Sequence, residues 1–187
     1  QALKSGIDVL LGGGLRHFLP ADVAMATAAE PVEGGCRGNR RDSRNLLEEA
    51  RQAGYSVVTD RAGLLAATSA PLLGLFACGN MDFDLDRLAG EPSLAEMTSK
   101  AIELLAQDRD GFFLMVEGSR IDHASGDNDG WNALGDTVAF DQAVRVALDF
   151  ARRYGQTLVI ATADHETGGL SVRRLVQSDG QSGTPVG

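Results

Sequence analysis

The sequence predicts an α/β fold, a mainly parallel sheet flanked by helices, and three observations carry that expectation. Short continuous apolar runs of strand length recur along the chain. Stretches with helical apolar spacing alternate with them. The clearest case, Phe112 to Ala163, reads strand, helix, strand with short links. A βαβ unit of that kind sets its two strands parallel in one sheet.

Taken in order, Ile7 to Leu11 is an apolar run ending in Gly12, Gly13 and Gly14, so it reads as a buried strand and turn. Glu30 to Arg41 is rich in glycine and charge and reads as a loop. Arg44 to Ala53 sets Leu46, Leu47 and Ala50 at helical spacing, with Gly54 as the stop. Tyr55 to Thr59 and Leu72 to Ala77 read as strands. Ser93 followed by Glu96 forms a capping box, and Leu94, Met97, Ala101, Ile102 and Leu105 share one face of the helix it starts. Phe112 to Val116 reads as a buried strand. A second amphipathic helix runs through Phe140, Ala143, Val144, Ala147, Leu148 and Ala151 and closes at Gly155. Thr157 to Ala163 reads as the second buried strand. The whole of 1–187 reads as one partial domain, and the polar, Gly-rich stretch 177–187 as a loose tail.

Composition narrows the partners. The net charge of −9 argues against binding a nucleic-acid backbone. A phosphate-bearing substrate would need bound cations to reverse the local field. No apolar run approaches the ~20 residues that span a bilayer. No signal-peptide pattern opens the sequence, which begins at Gln1 rather than Met. Cys36 and Cys78 are compatible with one disulfide or with two free thiols.

Chemistry concentrates where the two later strands end. Glu117 follows the first, with Asp122 five residues on; Asp164 and His165 follow the second. Sites in open α/β sheets gather at the carboxyl ends of strands. Three carboxylates crowded there repel one another unless a cation intervenes. Imidazole with carboxylate suits zinc, and an all-oxygen position suits magnesium. Each acidic residue alone reads more simply as a helix cap or turn residue. The joint pattern is what points to metals.

At these residues the chain resembles the alkaline phosphatase family. The run FFLMVEGSRIDH, Phe112 to His123, is similar to the family's magnesium and first-zinc motif, and TADHETGG, Thr162 to Gly169, to its second-zinc motif. DVLLGGG from Asp8, DSRNL from Asp42, LGLF from Leu73 and EPSLAEM from Glu91 are similar to its connecting segments. The resemblance implies a three-layer α/β sandwich. It implies that Glu117 binds Mg2+, Asp122 the first Zn2+, and Asp164 and His165 the second. It also implies hydrolysis of phosphate monoesters through a phosphoserine, in a periplasmic or secreted homodimer.

Departures from the family pattern shape the expectation. The family carries a His four residues after the first-zinc Asp, where this chain has Gly126. His123 is expected behind the ligands or on the substrate side, and Asp127 and Asp129 are the nearby substitutes. The family's nucleophile lies in an Asp-Ser-Ala context, and Asp42 and Ser43 read instead as a helix start. A further zinc His follows the last motif in the family, whereas no His follows His165 here. The chain alone is therefore expected to lack a catalytic serine and to turn over negligibly. The alternatives are a degenerate, non-catalytic cation-binding domain, or a related sulfatase or phosphomutase.

Overall fold

The computed structural model describes residues 6–27 and 35–171. The expected tail at 177–187 and the first part of the Gly-rich loop lie outside them. The elements are β1 (Val9–Gly12), β2 (Ala24–Met25), β3 (Cys36–Arg37), α1 (Leu46–Gln52), β4 (Ser56–Val58), α2 (Arg61–Ala66), β5 (Leu72–Leu75), α3 (Leu94–Leu105), α4 (Arg120–Gly126) and α5 (Gly130–Tyr154), with a 3₁₀ turn at Leu15–His17.

The main sheet has the order β1-β5-β4, with both pairings parallel. Alternation along the strands makes two apolar faces. Leu10, Val57, Leu73 and Leu75 meet Leu15, Leu47 and Ala50 on one side. Val9, Leu11, Val58 and Leu72 meet Leu64, Met97 and Leu104 on the other. The sheet is thus the middle of three layers, with α1 on one face and α2 and α3 on the other. β5 is central and buried along its length, which is why Leu72–Leu75 has no polar alternation.

Local chemistry fixes the helix ends. Ser93 and Glu96 complete the expected capping box of α3. α5 starts at Asp129, which accepts from the Asn132 N–H, and stops at Gly155 with φ +67. The cap of α1 is Asn45 rather than Asp42 or Ser43, because its side chain accepts from the N–H groups of Leu47 and Glu48. Asp42 instead pairs with Arg40 and accepts from the Arg44 N–H. Cys36 and Cys78 are joined in a disulfide, tying the small β2-β3 ribbon to the loop after β5.

The later βαβ expectation needs correction. Residues 112–116 and 157–163 contain no strand, and the βαβ unit that forms is β4-α2-β5. A strand needs a neighbour to accept and donate its backbone hydrogen bonds. Among the described residues neither segment has one, and Phe113 and Leu158 stand 89% and 84% exposed.

Candidate metal centre

α4 is the platform of the site. Ile121 and the Gly118 backbone pack near Phe140 of α5, and Ala124 and Ser125 are buried beneath the helix. Asp122 therefore projects from the exposed side. Asp122 and position 126 are four residues apart, so they share one helical face.

The loop 164–169 folds onto that face. Gly168 makes the approach possible: its φ is +73, and a Cβ there would sit 2.0 Å from the Ser125 carbonyl oxygen. Only glycine combines that conformation with that closeness. The loop is braced internally by the Gly169 N–H, which donates to Glu166 Oε1. Its seat on α4 brings Thr167 against Asp122, the hydroxyl donating to Oδ1 at 2.6 Å. The Thr167 oxygen also lies 3.0 Å from His165 Nδ1.

His165 is then aimed by two contacts. Its Nδ1 lies 2.9 Å from the Glu166 carbonyl oxygen, which can only accept, so Nδ1 carries the proton. In the neutral ring Nε2 is left with a bare lone pair. That nitrogen faces Asp164 Oδ2 at 3.3 Å and Asp122 Oδ1 at 4.0 Å. No Arg or Lys pairs with either carboxylate among the described residues. A lone pair facing two carboxylates calls for a cation between them. In solution a proton can serve, and the His165 imidazole is raised above its ordinary value, first by the bond to the Glu166 carbonyl and then by the charge of Asp164.

Of the four expected ligands, the structure brings three together. Asp122, Asp164 and His165 converge; Glu117 does not join them. Glu117 lies ahead of α4 and lines a cleft of about 710 Å³ whose walls include Gly12 to Gly14, Asp84 and Arg87. No group of three or more His, Cys, Asp or Glu side chains closes into a cage among the described residues. The donor set of one imidazole nitrogen and two carboxylates nevertheless fits zinc by type. Position 126 has room for a side chain, since a Cβ there would meet only Thr167 Cγ2, at an ordinary 3.5 Å. Asp129 is committed to capping α5 and is no substitute. His123 sits on α4 beside Asp122, so the neighbouring side chains diverge by about 100° around the helix.

The sequence reading missed Thr167 and Gly168 as parts of the site. Both stand inside the TADHETGG run, and the two consecutive glycines were the available signal for a close backbone approach.

Comparison with known proteins identifies the family. A family profile described as alkaline phosphatase matches residues 1–184. Alkaline phosphatase 3 of Bacillus subtilis (strain 168) is 46% identical over 169 residues, covering 90% of this chain and 32% of that protein. The crystal structure of Thermus thermophilus alkaline phosphatase aligns with a TM-score of 0.68 and 35% identity, over 82% of this chain and 30% of its own. A TAB5 alkaline phosphatase mutant with Mg bound aligns with a TM-score of 0.69 and 29% identity, over 95% of this chain and 46% of its own. The chain thus spans about a third of the length of the first of these relatives. Motifs, fold and similarity lead to one conclusion: the chain belongs to the alkaline phosphatase family.

Proposed function

We propose that this chain supplies part of the metal centre of a phosphate-monoester hydrolase. The observation that carries the reading is His165 Nε2 facing Asp122 and Asp164 with no basic residue beside them. In this reading Asp164 and His165 hold one Zn2+, Asp122 contributes to the other, and Glu117 serves Mg2+. Bound there, the metals supply charge neutralisation for a phosphate ester and activation of an attacking oxygen. The chain's own residues hold the geometry. Thr167 locks Asp122 toward His165, the Glu166 carbonyl fixes the His165 tautomer, and Gly168 sets the loop on α4. Asp42 and Ser43 take no part, so the 187-residue chain by itself has negligible turnover. The Cys36–Cys78 bridge supports a periplasmic or secreted location, where disulfides persist. The parent protein is a homodimer by family.

Zinc titration by calorimetry tests the site. Asp164→Asn and His165→Gln should each weaken zinc binding by about tenfold or more. Unchanged zinc affinity in both folded variants would sink the reading. A phosphatase assay with added zinc and magnesium tests the second part, with no turnover expected from the isolated chain.

A specific observation favours a second reading, in which the domain binds a cation without catalysis. Gly126 occupies the same helical face as Asp122 and offers no ligand. One weak zinc per chain supports that reading, and two tight sites oppose it.

A further inference from the structure

We propose that Glu91 is a proton-operated latch: its neutral carboxyl holds the strap 82–91 down as one wall of the cleft that Glu117 lines, and its ionised form lets the strap lift. The strap runs from the end of β5 toward the start of α3 and contains no helix or strand. Asp82, Asp84 and Arg87 on it, with Pro92 just beyond, face the cleft. Leu85 and Leu88 on it are roughly half exposed, so it buries little apolar surface of its own. Segments of that kind open at a lower free energy than the core they cover.

Glu91 closes the strap on itself. Its Oε1 accepts from the Asp82 N–H at 3.1 Å, which joins one end of the strap to the other. Arg87 completes the ring, with Nε donating to Asp84 Oδ1 at 3.0 Å and Nη1 to the Glu91 carbonyl oxygen at 3.1 Å. The ring is moored to its neighbours by the Asp84 N–H, which donates to Asp136 Oδ2 of α5, and by the Gly90 carbonyl, which accepts from the Arg61 N–H of α2. Phe83 lies under the Arg120 guanidinium, and Leu85 rests against Gly135 of α5.

The Glu91 side chain is fully buried, and its Oε2 has no hydrogen-bond partner among the described residues. A carboxylate charge is poorly housed there, because water is excluded and no cation replaces it. Burial pushes the carboxyl up to about 7 against the pull of the Asp82 N–H; the charge of Asp82 raises it further and that of Arg87 lowers it. Charged groups on the flanking helices are engaged elsewhere: Arg61 of α2 pairs with Glu96 of α3, and Asp136 of α5 holds the Asp84 N–H.

A lifted strap returns Glu91 to water and to its ordinary value of 4.5. Below that value both states keep the proton and the strap stays down. Between 4.5 and about 7 the lifted state has released a proton that the closed state keeps, so each pH unit favours lifting about tenfold. Above about 7 both states are ionised and the balance levels off. Across the window the lifted population rises by about 300-fold. The cleft wall thus loosens as the solution turns from acid to alkaline, and the latch needs no metal.

Hydrogen exchange on the full 187-residue chain, followed by mass spectrometry across pH 5 to 9, tests the latch. Dividing out the intrinsic exchange rate leaves an opening constant for each segment. Peptides covering 82–91 should open more readily than those of α3. Their constant should rise about tenfold per unit up to pH 7 and stay flat above it. Glu91→Gln, neutral at every pH, should keep the strap near its acid value throughout. A wild-type constant that ignores pH, a rise that survives in Glu91→Gln, or a strap that opens only together with α3 overturns the proposal. If Glu91→Gln fails to fold by circular dichroism, the wild-type profile and its comparison with α3 decide.

Discussion

Glu91 is fully buried, yet only one of its carboxylate oxygens finds a partner, the Asp82 N–H at 3.1 Å. Burial, reinforced by the charge of Asp82, pushes its carboxyl up to about 7 from 4.5. The sign follows from proton binding: between those values the folded chain keeps a proton that the unfolded chain has released. Stability from this group is complete below about 4.5, falls as pH rises, and is lost above about 7. The span is worth on the order of 3 kcal/mol. Glu91→Gln should remove that slope and make the chain more stable than wild type at pH 8, as read from thermal midpoints across the pH range. Position 126 yields the second prediction at this scale. Gly126→His puts an imidazole on the Asp122 face beside Thr167, where the backbone is helical and the space is open. Zinc should bind about tenfold tighter by calorimetry.

Among elements, α3 and α5 were legible because their ends carry their own chemistry: Ser93 with Glu96 at one start, Gly155 at one stop. α4 was not. It has seven residues, and Ser119 ahead of it makes no side-chain cap, so neither periodicity nor a start signal marks it. The consequence reached the site, since no helix was expected to carry Asp122 and His123. Asp122, Asp164 and His165 were legible as a group from the motif pattern. The separate placement of Glu117 was not, because five residues of loop and helix start can carry a side chain to either wall. The two apolar runs at 112–116 and 157–163 were read as buried strands, and in the structure they are neither strand nor buried. A ladder, however, depends on a neighbouring strand, which no local pattern reports. The loop 164–169 supports a third prediction. Gly168→Ala would drive a methyl into the Ser125 carbonyl and strain a left-handed residue. The loop should lift from α4, breaking the Thr167–Asp122 bond and weakening zinc binding about tenfold, with little loss of far-UV signal.

At the scale of the whole molecule, the Cys36–Cys78 bridge closes a segment of 42 residues that includes α1, β4, α2 and β5. Closing a loop of that length is worth about 4 kcal/mol through the unfolded chain. Reduction, or a Cys36→Ser/Cys78→Ser double variant, should lower the urea midpoint accordingly. The same segment forms the three-stranded sheet with β1, so its loss should also loosen the seat of α3. Phe113, Met115, Leu158 and Ile160 meanwhile stand between 76% and 89% exposed. Side chains of that kind adhere to one another when chains are crowded. Their adhesion bears on the stoichiometry of any zinc titration. Light scattering across the same concentrations should therefore show self-association rising with protein concentration, and a titration kept dilute should be free of it.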